Sequence, residues 1–196
     1  MRFGCQTDAR ERDSLANGSE LFRLTDGVLI RRTDLPRRIN RMSRPSLKPW
    51  ELELEAPIKQ QFECIRSELS QEFTGFAQSP PKHVKCIGFE IRSRFKGFPV
   101  SAYALDSDGI NEVNPNPGRP WSGRLVSSFE ENLLDPTLVD EHDISYELMA
   151  IFLAEFIGDC WQGTVGSTYG IPVFANHQDR PIRYDCIEGR WYEPSW

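Results

Sequence analysis

Asp143-Ile-Ser-Tyr-Glu-Leu-Met-Ala-Ile-Phe-Leu-Ala-Glu-Phe-Ile-Gly-Asp-Cys-Trp161 is the stretch on which the fold turns. Ile144, Leu148, Ile151, Phe152, Ile157 and Trp161 recur at helical spacing and share one surface. Met149, Leu153 and Phe156 widen that surface beyond an ordinary amphipathic stripe. The spacing predicts a largely buried helix over 144–161, capped by Asp143. The residues after it read differently. Beyond Gly163 and Gly166, which end the helical region, residues 171–176 and 182–187 are β-prone runs. Glu188-Gly189 is a turn, and residues 190–193 form a last short strand. The expected class is therefore α+β: antiparallel sheet or sheets packed by two or three helices, with the long buried helix near the C-terminus.

Moving toward the N-terminus, a second helix is expected from Pro57, which suits a first helical position. Ile58, Phe62, Ile65, Leu69 and Phe73 form its apolar stripe, and Gly75 is its expected end. Residues 83–92 alternate, with Ile87, Phe89 and Ile91 on one face. Residues 98–105 give a second strand, with Pro99 at its start or at a sheet edge, and residues 110–113 a third. Ser122 is a candidate cap for a short helix carrying Leu125, Phe129 and Leu133. Farther back, residues 21–25 and 28–32 flank Asp26-Gly27, the signature of a two-residue type I′ hairpin. Residues 1–19 read as a loose lead-in and 20–196 as one domain. Pro36, Pro45 and Pro49 make residues 33–56 an extended connection.

The 196 residues carry a net charge of −6 and five widely spaced cysteines. An odd, scattered set of thiols with no leading apolar segment of signal-peptide length points to a reducing cytosol. The apolar window at 149–157 is too short for a membrane span and contains Glu155. The charge is unevenly placed. Residues 31–48 hold seven basic residues against Asp34, about +6. Residues 106–160 hold twelve acidic residues against Arg119 and Arg124, about −10. Glu130, Glu131, Asp140, Glu141 and Asp143 bracket the loop before the long helix. Dense like charge there opposes folding and suits a protein partner with a basic surface.

Chemistry-bearing residues form no complete motif. Cys160 or Cys186 with His177 and Asp179 has the residue types of a cysteine hydrolase. Cys160, however, falls near a helix C-terminus, where the dipole disfavours a thiolate. His83 and Cys86, with Cys160, His177 and Cys186, lack the second close pair of a zinc site. Asp106-Ser-Asp-Gly-Ile-Asn-Glu112 has alternating oxygen ligands, but Gly109 comes early and Pro117 stands where a calcium loop needs Glu. Phosphate-loop and nucleophile-elbow motifs are missing. No cofactor or metal is expected. The arginine-rich 31–48 run is the nucleic-acid candidate. A sequence pI near 5.2 argues against that use, and Glu51, Glu53 and Glu55 follow closely enough to pair with the run.

In the last fifty residues, the helix ends in Cys160-Trp161 and a glycine-bearing loop leads to Ile171-Pro-Val-Phe174. His177-Gln-Asp179, Tyr184-Asp185 and Gly189-Arg-Trp191 follow. This quarter of the chain resembles the ends of the immunity proteins of polymorphic and secreted bacterial toxin systems. The resemblance implies a cytosolic inhibitor that binds one toxin tightly and performs no chemistry. It assigns no residue a role.

Overall fold

The computed structural model describes residues 21–23, 29–31, 39–78, 84–93, 97–106, 123–130, 134–135, 137–138, 144–167, 169–178 and 182–194. The chain separates into two units, Met1–Leu35 and Pro36–Trp196.

In the first unit, β1 (Leu21–Arg23) pairs antiparallel with β2 (Leu29–Arg31). The hairpin is where the sequence puts it, but its register differs by one residue. An unbroken ladder closed by Asp26-Gly27 alone would set Arg23 opposite Ile30, and the observed partner is Leu29.

The second unit is α+β. Its strands are β3 (Ile39–Arg41), β4 (Cys86–Ile91), β5 (Gly97–Leu105), β6 (Arg124–Glu130), β7 (Val173–His177), β8 (Arg183–Asp185) and β9 (Arg190–Pro194). Among the described residues they form one sheet in the order β3-β9-β8-β7-β4-β5-β6. Two meanders, β4-β5-β6 and β7-β8-β9, meet at a parallel β4–β7 pair, and every other pairing is antiparallel. The expected third strand at 110–113 lies outside the described residues, and β6 flanks β5.

The helix expected from Ser122 is a strand instead. Four-residue spacing of Leu125 and Phe129 satisfies a period of 2 as well as a helical one, so it cannot discriminate. A bulge completes the difference. Val100 pairs with Ser127 but Ser101 pairs with Leu125, so the ladder slips by one residue at Val126. Phe129 is buried, whereas Leu125 is 59 % exposed.

The first helical region begins earlier than expected, at Pro49. It comprises α1 (Pro49–Glu53), α2 (Glu55–Gln61) and α3 (Glu63–Gln78). Pro49 takes the first position, and the Lys48 N–H donates to Glu51 Oε2 at 2.6 Å. Pro57 falls inside α2. It has no N–H for the Glu53 carbonyl and crowds it, and the helix breaks there, at Leu54. Ile58, Phe62, Ile65, Leu69 and Phe73 are all buried, as predicted. Gly75 does not end the helix, which runs on to bury Phe76.

The long helix, α4, spans Tyr146–Thr164. Its cap is Ser145, whose hydroxyl accepts from the Leu148 N–H at 3.2 Å; the expected cap, Asp143, lies outside the described residues. Two-residue offsets of this kind are common at helix ends. Gly166, with φ +89°, follows its C-terminus, and its N–H returns to the Trp161 carbonyl. α4 packs against α2 and α3 and also against β4, β7 and β8. Lying between two layers explains why its apolar surface exceeds one stripe. Aromatic rings fill the core: Phe73 stands 4.8 Å from Phe89 and 5.2 Å from Trp161, and Phe62 meets Phe129 edge-on at 4.8 Å. Among the described residues no helix is long and apolar enough to cross a membrane.

Candidate functional site

Glu155 sits in the middle of α4 with its side chain only 8 % exposed. A carboxylate so placed requires charged or hydrogen-bonding partners. Arg44, from the segment between β3 and α1, supplies two: Nε donates to Oε1 at 2.8 Å and Nη2 to Oε2 at 2.7 Å. Lys59 of α2 donates to Oε2 at 3.0 Å, and the Trp191 indole of β9 donates to Oε1 at 3.0 Å. Glu55 bridges the two cations, accepting from Arg44 Nη1 and from Lys59 Nζ, each at 2.8 Å. The two positive and two negative charges therefore balance. Burial lowers the pKa of both Arg44 and Lys59, but hydrogen bonds to Glu55 and Glu155 outweigh it and hold both above their usual values. Burial pushes Glu55 up, and its bonds to Arg44 and Lys59 more than reverse that. Arg44 thus belongs to an internal network, with Glu55 as one partner, as the proximity of the acidic residues to the basic run allowed.

The network backs onto a cleft of about 180 Å³. Pro45 and Ser46 come from the segment that carries Arg44, Glu147 and Ile151 from α4, and His177 and Trp191 from the sheet. Trp191 belongs to both places: its N–H is bound to Glu155, and it is one of the residues that line the cleft. Its edge-to-face contact with Tyr184, at 5.3 Å, holds it from another side. His177 Nε2 lies 2.7 Å from Ser93 Oγ.

Cys160, Cys186, Cys86 and Cys64 are free thiols, and the first three are buried. Burial pushes Cys160 and Cys86 up to about 12 and raises Cys186 well above its ordinary value. That opposes the thiolate a cysteine hydrolase needs, and the cause is desolvation by burial. Among the described residues no three His, Cys, Asp or Glu side chains converge as a metal site.

Of the expected partner-binding residues, Glu130 is exposed at the end of β6, where Ser128 Oγ donates to it at 3.3 Å. Glu131, Asp140, Glu141 and Asp143 lie outside the described residues, as do Asp179, His83 and the calcium-like loop beyond Asp106. Sequence reasoning missed the pairing of Glu155 with Arg44 and Trp191. Its signal was present: one carboxylate in the most apolar window of the chain demands a cation from elsewhere.

The chain matches no family model, no curated protein and no solved structure. Its functional reading rests on the chemistry of its own residues.

Proposed function

We propose that this chain is a non-enzymatic binding protein, an immunity protein that neutralises one bacterial toxin in the cytosol by direct contact through an acidic surface. One observation carries the reading. Among the described acidic residues of 106–160, Glu155 is turned inward and matched by two cations and an indole, Asp106 is half-buried, and the other four face outward. Glu130, Asp135, Glu147 and Asp159 are all exposed. Negative charge kept at the surface favours rapid association with a basic partner. Burial of Cys160 and Cys186 disfavours the cysteine-hydrolase alternative, and the C-terminal pattern resembles immunity proteins.

The test is affinity capture with the full-length chain in its native host. The expected result is one stoichiometric basic partner, encoded by the adjacent reading frame, whose toxicity disappears on co-expression. Capture should weaken as salt rises. Recovery of no stoichiometric partner, or of one whose toxicity persists, overturns the reading.

A further inference from the structure

We infer that residues 42–48 are a strap that opens as a unit, with Arg44 as its latch, and that this opening widens the cleft beside Trp191. The strap goes beyond the binding reading and does not depend on it.

Little holds the segment apart from one side chain. It follows β3, which pairs with β9, and the Met42 N–H adds a bond to the Trp191 carbonyl at 3.3 Å. It ends where α1 begins, at Pro49. None of residues 42–48 is buried, and among the described residues no backbone hydrogen bond involves residues 43–47. Pro45 has no N–H to offer and disfavours a helical conformation at Arg44. Sparse burial and sparse backbone bonding mark a segment that opens at low free energy. Against them stands the Arg44 guanidinium. It makes two charge-assisted bonds to Glu155 and one to Glu55, and it lies 5.8 Å from the centre of the Phe152 ring. Its release strands neither carboxylate. Lys59 stays bonded to both, and the Trp191 indole stays on Glu155. The open state therefore avoids an inward carboxylate without a partner, the usual bar to breaking such a network. Pro45 and Ser46 line the cleft together with Ile151 and Trp191, so moving the strap removes part of the cleft wall. The latch is also within reach of solvent: the Arg44 and Glu55 side chains are 31 % and 28 % exposed, so salt and competing charges act on it.

The test is native-state hydrogen exchange on the full-length protein, followed amide by amide by NMR at low urea concentrations. The Met42 amide, bonded to Trp191, reports the strap. The Ile87 amide, bonded to the Pro172 carbonyl in the middle of the sheet, reports the core. Once intrinsic rates are divided out, Met42 should exchange at least about ten-fold faster than Ile87. Its rate should also be nearly independent of urea, because opening the strap exposes little surface, whereas the Ile87 rate should climb with urea. Glu55→Gln weakens one of the three Arg44 bonds and should speed Met42 exchange about two- to five-fold, the scale of a part-exposed ion pair. Arg44→Met keeps the stem and removes the latch. It should make the Trp191 indole N–H signal, assigned with a Trp191→Phe variant, more sensitive to a neutral gadolinium chelate in the solvent. Equal protection and equal urea dependence at Met42 and Ile87 overturn the strap, because the segment then opens only when the whole molecule unfolds. A Met42 rate unchanged by Glu55→Gln overturns Arg44 as the latch, and this arm decides the matter if Arg44→Met does not fold. A folded Arg44→Met protein whose Trp191 signal responds to the chelate as the wild type does overturns the link to the cleft.

Discussion

Glu155 is the most consequential single residue. Truncating Arg44 to Ala would leave this carboxylate to Lys59 and Trp191 alone. Breaking a well-buried pair costs ~3–5 kcal/mol, and the partial exposure of Arg44 lowers the expectation to about 2–3 kcal/mol in urea unfolding. The Arg44→Ala and Glu155→Gln costs should sum to more than that of the double variant, because both remove the same bonds. The network also shapes the response to pH. Glu55 titrates below its ordinary value near 4.5, so its contribution is full above that pH and lost as pH falls through the folded-state value. Lys59 behaves oppositely: its contribution is present below about 10.5 and lost as pH rises through its raised value. Glu55→Gln should flatten the acid limb of a stability–pH profile; an unchanged limb would count against the assignment. The sequence carried the need for a cation near Glu155 but not its address, since Arg44 is 111 positions away.

At the level of the element, glycine gives opposed expectations. Gly75 and Gly163 lie in helices, and a Cβ at either meets nothing within 4 Å. Changing each to Ala should stabilise by about 0.5–1 kcal/mol, read as a higher denaturation midpoint. Gly158 is where α4 approaches β8, and a Cβ there would collide with the Tyr184 ring. Gly158→Ala should lower the midpoint. Strongly periodic elements were legible: the stripe from Ile58 to Phe73 is buried as read, and so is the apolar surface of α4 except Ile151, which is half-buried. The segment at 124–130 was not, because its spacing fits two periods and its outcome depends on a bulge against β5.

For the molecule as a whole, the α+β class followed from helices and strands that occupy separate stretches. The joining of two meanders by a parallel β4–β7 pair did not follow. It is set by α4 carrying the chain back across the sheet, and no local pattern records it. β9 holds this arrangement at two places, as the ladder partner of β3 and as the source of Trp191. A chain ended at Gly189 should therefore lose cooperative thermal unfolding by circular dichroism. Retention of a sharp two-state melt would show that the C-terminal strand is dispensable.

The β4–β7 pairing also bears on synthesis. Ile91 pairs with His177, 86 positions later in the chain. At the ~5–20 residues per second of translation, the edge of β4 that will meet β7 waits roughly 4–17 s on the ribosome. During that interval an apolar strand edge is open to other chains. Glu155 likewise emerges before the indole that completes its shell. Interrupted translation would release a chain with both defects, well suited to recognition by chaperones and proteases.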